Sequence, residues 1–370
     1  METPIINVDP DLSAMMSSVF AAYRQREDST KNRATWTGPL WTQLADLGLT
    51  RLTGPESAGG SGAGWAEAAA LLTAAVRYAV RIPIAEHDLL ACWLLDTAGI
   101  DVDDARRTVG ILDETGTAYD VPWGLQADKI VTVWKVGNQY LVADVECSHF
   151  DITPGTNSAG EPRDTVNIDT SALAGIPVSQ NIVHALYLRS ALVRTIQLCA
   201  TLERITELAI EHCNTRLQFG RPLSKFQAVQ HLVADIAAET SLARAATDAA
   251  VAAALHPGAD LSKLQAVIAI ARSCTGHAST VAVRNAHQVH GAIGTTREHP
   301  LHEYTNAALA WRSEYGSVRQ WDEVLTTMVL SPGSPNPWSL ITADLVHPEP
   351  DSVTFAQIKR LSKDSTHARA

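Results

Sequence analysis

Two short stretches carry residue types suited to gripping a phosphorylated ligand. The first is Arg216-Leu217-Gln218-Phe219-Gly220-Arg221-Pro222, followed after three residues by Phe226-Gln227. The second is Gln288-Val289-His290-Gly291-Ala292-Ile293-Gly294, about sixty residues further on. A guanidinium keeps its charge at every working pH and can hold phosphate oxygens through two parallel N–H donors. Gln218, Gln227 and Gln288 each offer a donor and an acceptor. Phe219 can lie over a flat ring or shield a charged group. Gly291 lets backbone approach a ligand closely, and Gly220 with Pro222 fixes a turn. Each stretch alone has a plainer reading. An Arg at a helix end is commonly a solvated charge or a C-terminal cap, and a Gly after a helix is commonly its stop.

The elements that must position these stretches are legible as periodicity. Helices are expected over about 181–214, from after Pro222 to about Leu255, over 261–290 and over 300–328, making a four-helix bundle. Val229, Leu232, Val233 and Ile236 form an expected buried stripe of the second, and Leu264, Val267, Ile268 and Ala271 one face of the third. His256-Pro257-Gly258 should stop the second helix. Residues 1–105 read as a helical domain, with Leu40, Leu44, Leu47 and Leu49 on an apolar face. A flexible loop is expected at Gly54–Gly62, a helix from Trp65 to about Val80, and another from Glu86 to Ala98 ended by Gly99. Residues 106–178 change to β character. Strands are expected at Thr108–Leu112, Lys129–Trp134 and Gln139–Val145, the last two joined by a turn at Gly137-Asn138. Residues 331–370 lack periodicity and read as an irregular tail. The fold class is therefore mainly α with a small β domain: N-terminal helical domain 1–105, short middle β domain 106–178, C-terminal bundle 179–330 and tail.

Composition narrows the function classes. With 370 residues, several domains are expected. The 46% hydrophobic and 19% charged content is ordinary for a globular protein. A formal charge of −11 argues against nucleic acid as the main partner. There is no run of eighteen apolar residues and no basic apolar leader, so neither a membrane span nor a signal peptide is expected. The five cysteines are scattered without a C-x-x-C pair, which fits free thiols in a reducing cytoplasm. His287, His290, His299 and His302 lack an H-x-x-x-H or Cys-rich companion set, so no metal site is expected.

Both stretches, their spacing and the order helical, β, helical bundle resemble the acyl-CoA dehydrogenases. Leu40-Trp41 to Leu49 followed by Pro55–Gly62 is similar to an N-terminal family segment, and Thr295–Leu301 continues the likeness after the second turn. The resemblance implies that the R-x-Q-F-G loop and Q-x-x-G-G turn reach across an interface to the FAD of a neighbouring subunit. Arg216, Gln218, Phe219 and Gln227 would then serve its pyrophosphate and adenine side. Gln288, Gly291 and Ala292 would line its adenosine, with Ala292 standing where the family has a second Gly.

Other family features are missing. No T-x-P-x-(A/G)-G-S-D-like segment occurs where the stretch reads Asp113 to Trp123, and the middle domain looks short. Trp134 could touch a flavin, although a strand Trp is more often core. The reaction needs a carboxylate to take the proton alpha to the thioester. Tyr315 stands where the family has its base, in Trp311-Arg312-Ser313-Glu314-Tyr315-Gly316-Ser317. Glu314 is a weak catalytic candidate, one residue or ~100° of helix away. The family's alternative position falls at Leu188-Arg189-Ser190-Ala191, without a carboxylate. Glu298 and Glu303 are further acids that read as solvated surface. The chain thus resembles the subunit of actinobacterial α2β2 steroid side-chain acyl-CoA dehydrogenases that completes its partner's FAD site without supplying the base. Such a chain would act on an acyl-CoA with a second subunit, and electron-transfer flavoprotein is the family's usual oxidant. A self-sufficient homotetramer and a flavin-free acyl-CoA-binding scaffold remain alternatives.

Overall fold

The computed structural model describes residues 8–26, 36, 38–256 and 260–330. The expected tail at 331–370 and the Pro257-Gly258 helix stop lie outside them. The chain divides into two compact units, one from Asn7 to Ser190 and the other chiefly from Ala191 onward.

In the first unit, α1 (Pro10–Arg26), α2 (Gly38–Asp46) and α3 (Trp65–Arg77) share one apolar core. Met16, Phe20, Leu40, Leu44, Leu49 and Leu71 are buried in it. Leu47, expected on the same face, is 42% exposed, because the helix has ended at Asp46 and the chain turns at Gly48 with φ +70°. The glycine-rich loop expected to be flexible is instead knitted by backbone bonds. Gly60 N–H donates to Pro55 O, Ser61 N–H to Arg51 O and Gly62 N–H to Gly54 O, at 2.9–3.0 Å. A Cβ on Gly60 would lie 2.1 Å from Gly54 O, so this crossing requires glycine. A π-helix, Ala85–Cys92, runs into α4 (Trp93–Ala98), and Gly99 closes it in the left-handed conformation. Every residue of that π-helix is buried, including Glu86, His87 and Asp88.

Seven strands follow where three were expected: β1 (Arg107–Ile111), β2 (Thr117–Pro122), β3 (Lys129–Val136), β4 (Gln139–Glu146), β5 (Asp151–Thr153), β6 (Arg163–Asn167) and β7 (Ile176–Val178). The additional strands are short or interrupted by a bulge, so alternation is too brief to reveal them. One sheet has the order β1-β3-β4-β7, with β1 and β3 parallel and the other pairs antiparallel. The other has the order β2-β6-β5. Trp134 is buried in the β core with Ile130, Val145 and Val166. Arg107, fully buried, is held by Asp144 at 2.8 Å, by the Asp103 carboxylate and by two backbone carbonyls.

The second unit is helical. It contains most of α5 (Gln180–Thr215), then α6 (Gln227–Ala254), α7 (Leu261–His290), α8 (Leu301–Trp311) and α9 (Val318–Leu330). Asp260 caps α7 by accepting from Ser262 N–H. Arg244 of α6 ties to Glu203 of α5 at 2.6 Å, and Ser273 and His277 of α7 both bond Asp322 of α9. In the expected α6 stripe, Ile236 alone is fully buried, while Val229, Leu232 and Val233 are half-buried. α7 is long and apolar enough to cross a membrane, but most of its apolar window is buried within the protein, as in a core helix.

The expected fourth helix is two. Tyr315 (φ +53°) and Gly316 (φ +109°) break it, and a Cβ on Gly316 would meet Trp321 Nε1 at 2.5 Å. Arg272, buried in α7, donates to the carbonyls of Glu314 and Gly316 at 2.8 and 2.9 Å. It also reaches those of Trp311 and Arg312, so one guanidinium satisfies the end of α8 that the break leaves open.

Candidate functional site

The first stretch forms a two-residue β-hairpin. Strands β8 (Leu217–Gln218) and β9 (Arg221–Pro222) pair antiparallel around Phe219 (φ +52°) and Gly220 (φ +78°). Two positive φ values match the twist of a tight hairpin, and Phe219 is the residue that bears strain there. Its ring is 90% exposed. Phe226 supports the hairpin from below, with Arg221 4.2 Å over its ring and Phe219 at 6.0 Å. Arg216 anchors the base, its N–H bonded to His212 O and its carbonyl accepting from Leu223 N–H, both at 2.9 Å. Its side chain is exposed, as are those of Gln218 and of Gln227 at the start of α6.

The second stretch ends α7. Gln288 is exposed in the last turn, Gly291 adopts φ +63°, and Ala292 is exposed in the short 3-10 turn that follows. A Cβ at Gly291 would meet nothing within 4 Å. The two stretches are brought together by histidines. His212, four residues before Arg216, stacks on His290, one residue before Gly291, with ring centroids 4.4 Å apart. His299 closes the group at 4.7 Å from His290 and 6.0 Å from His212. His290 donates Nδ1–H to Ala286 O at 2.7 Å, which leaves a buried Nε2 without a hydrogen-bond partner. Burial brings His290 down to about 4, and burial likewise lowers His212 and His299, so neutral imidazoles prevail near pH 7. His212 was not among the histidines singled out from sequence, because its helix lies far upstream of the other two.

Arginines line both the Leu188–Ala191 and the Trp311–Ser317 segments. Glu314 is not on a helix but in the α8–α9 break, and its carboxylate accepts from Arg194 Nε–H at 2.7 Å. One residue along the chain there is not ~100° of helix rotation, because α8 has ended at Trp311. Arg194 is buried, lies 5.4 Å over the Tyr315 ring and also donates to Gln197 Oε1 at 2.5 Å. In the first unit, Arg189 lies between Trp65 and Trp93, at 4.8 and 4.3 Å from their ring centroids. It donates to Leu89 O at 2.9 Å, and burial pulls its guanidinium down to about 9. Glu298 is exposed and Glu303 half-buried. None of these arginines stood out in the sequence as a pattern.

Residues 13–104 match the acyl-CoA dehydrogenase N-terminal domain and residues 186–318 its C-terminal domain. The chain belongs to the acyl-CoA dehydrogenase family. Among its relatives, acyl-CoA dehydrogenase FadE34 of Mycobacterium tuberculosis is 26% identical over 303 residues. That match takes in 78% of this chain but 42% of FadE34, so the chain spans less than half of that relative. Two solved structures share the fold. The ChsE4-ChsE5 complex from Mycobacterium tuberculosis superposes with a TM-score of 0.78 at 22% identity, covering 87% of this chain and 98% of the other. The Tcur3481-Tcur3483 steroid acyl-CoA dehydrogenase superposes at 0.72 with 20% identity, covering 85% and 96%. The order of helical, β and helical regions, with the apolar helices of the C-terminal part, is the acyl-CoA dehydrogenase fold.

Proposed function

We propose that this chain is one subunit of a FAD-dependent acyl-CoA dehydrogenase and completes the flavin site of a second, different subunit. The observation that carries the reading is outward presentation. Arg216, Gln218, Phe219, Gln227, Gln288, Gly291 and Ala292 are all exposed, and Phe219 is 90% so on a strained turn. Positive φ at a non-glycine residue is the kind of strain that clusters at ligand-binding and switch positions.

The residues suit the ADP half of the cofactor. Arg216 brings a permanent charge to the pyrophosphate. Phe219 covers the adenine side, and Gln218 and Gln227 donate or accept along it. Gln288 and the open backbone at Gly291 and Ala292 admit the adenosine. FAD, when bound, would supply the acceptor for the hydride that leaves the beta carbon of the acyl-CoA. This chain holds and orients that cofactor, and the proton alpha to the thioester goes to a base on the partner. The Arg194 bond to Glu314 supports that division, since this carboxylate already accepts from a guanidinium. The ChsE4-ChsE5 and Tcur3481-Tcur3483 structures each pair two differently named chains, and the second is named for steroids. They support a heteromer acting on a bulky, steroid-type acyl-CoA; a cytoplasmic setting and electron-transfer flavoprotein as oxidant belong to the same proposal.

The test is the visible spectrum of the chain purified alone and co-expressed with a partner dehydrogenase subunit. A colourless chain that forms a yellow complex, with one FAD per pair, is expected. Arg216→Ala should lower the FAD content of the complex without unfolding the chain. Normal flavin stoichiometry in that variant removes the contact. A yellow chain alone, bleached by acyl-CoA, replaces this reading with a self-sufficient enzyme.

A further inference from the structure

We propose that His212, His290 and His299 form a binding site for a borderline transition-metal cation such as Zn²⁺ or Co²⁺. Their nitrogen ligand atoms all lie within 4.8 Å of one another. The three rings come from three places: the last turn of α5, the last residue of α7 and the loop before α8. Three imidazoles with an open fourth position make a recognised donor set for such ions.

His290 is already arranged as a ligand. Its Nδ1–H is fixed on Ala286 O at 2.7 Å, which sets the tautomer and leaves the Nε2 lone pair buried and without a hydrogen-bond partner. The residue itself is 6% exposed. A backbone carbonyl on the far nitrogen is the usual outer-shell arrangement of a metal-bound histidine. The His212 and His299 rings face it, at 4.4 and 4.7 Å between centroids.

Binding requires small adjustments. Tetrahedral ligation at ~2.1 Å brings nitrogens to roughly 3.4 Å from one another, so the widest pair must close by about 1.4 Å. His212 and His299 are only half-buried, and ring rotation supplies this movement. His299 Nδ1 now accepts the Leu301 N–H at 3.1 Å, which places its proton on Nε2. Ligation through Nε2 moves that proton to Nδ1 and gives up the one backbone bond. The ring stays neutral, so no net proton is released. The cation would then staple the end of α5, which carries Arg216, to the end of α7, which carries Gln288 and Gly291. This inference rests on neither FAD nor a partner subunit.

The experiment uses the full, untagged chain, stripped with a chelator and titrated with Co²⁺ as a visible probe, then with Zn²⁺ in competition. One tightly held Co²⁺ per chain, with the visible absorption of tetrahedral ligation, is expected. His212→Gln and His299→Gln should each weaken binding by more than the roughly 10–100-fold that losing an outer-shell partner causes. His277→Gln, whose ring bonds Asp322 away from the cluster, should bind normally. His290→Gln should abolish binding; if that variant misfolds, the two half-buried variants decide alone. Absence of saturable Co²⁺ binding, or equal affinity in wild type, His212→Gln and His299→Gln, overturns the site.

Discussion

Protonating His87 should weaken the fold, and the structure sets the size of the effect. The ring lies fully buried on the π-helix, its Nδ1 accepts the Arg107 N–H at 3.0 Å, and the Cys92 sulfur lies 3.7 Å from its Nε2. Burial first, then the Arg107 and Arg51 charges, bring the imidazole down to about 3 from 6.5. A depressed histidine binds fewer protons folded than unfolded. Its contribution is complete above the unfolded value of 6.5 and is lost as pH falls from there toward 3. The full difference is on the order of 5 kcal/mol, of which roughly 2 kcal/mol is lost between pH 7 and pH 5. His87→Asn keeps an acceptor for the Arg107 amide and cannot be protonated in this range. Urea unfolding of wild type and variant at pH 7 and pH 5 isolates the residue, because His290 and the other titrating groups are common to both. The wild-type loss should exceed the variant's by about 2 kcal/mol. Equal pH dependence in the two proteins would mean that His87 is hydrated or already charged, and would refute the argument.

Arg272→Met should destabilise the chain by about 1–3 kcal/mol in urea, because the carbonyls of Glu314 and Gly316 lose a buried donor. An unchanged midpoint would show that water replaces the guanidinium. Gly316→Ala should cost about 2–4 kcal/mol, combining left-handed strain with the 2.5 Å approach to Trp321. Gly137→Ala, also at positive φ but in open space, should cost only about 1 kcal/mol. A reversed order in thermal unfolding would contradict the packing argument.

Long periodic elements were legible in the sequence, down to Leu261–His290 for α7 and Gly99 as the stop of α4. Each is set by local apolar spacing and a capping residue. What was not legible depends on partners distant in sequence. The α8–α9 break requires Arg272, 44 residues before Gly316, to receive its carbonyls, while Trp321, only five residues on, packs against the bare face of that glycine. The Gly54–Gly62 loop reads as flexible because glycine is permissive, yet Gly60 is there because backbone crosses at 2.1 Å from a Cβ position. Of the candidate site, the hairpin and the α7 end could be named from their residues. Their pairing through His212 and His290 could not, since nothing in the spacing says which turn of α5 faces α7.

Each unit buries guanidinium groups. Arg189 sits between two indoles in the first unit, and Arg194 and Arg272 are buried in the second. Burying a guanidinium is unfavourable unless it is hydrogen-bonded or paired. Here Arg189 has a carbonyl and two rings, Arg194 has Glu314 and Gln197, and Arg272 has four carbonyls. Removing Arg194 would leave Glu314 half-buried without this guanidinium, while removing Glu314 would leave a buried cation with weaker compensation. Glu314 is therefore tied to the architecture of the helix break before any chemistry is asked of it. A general base works when its lone pair is free to meet a substrate proton. The Glu314 carboxylate already accepts from Arg194, whereas the side chains of Arg216, Gln218 and Phe219 are exposed. That contrast fits the proposed role, in which the exposed hairpin serves a cofactor shared with another subunit.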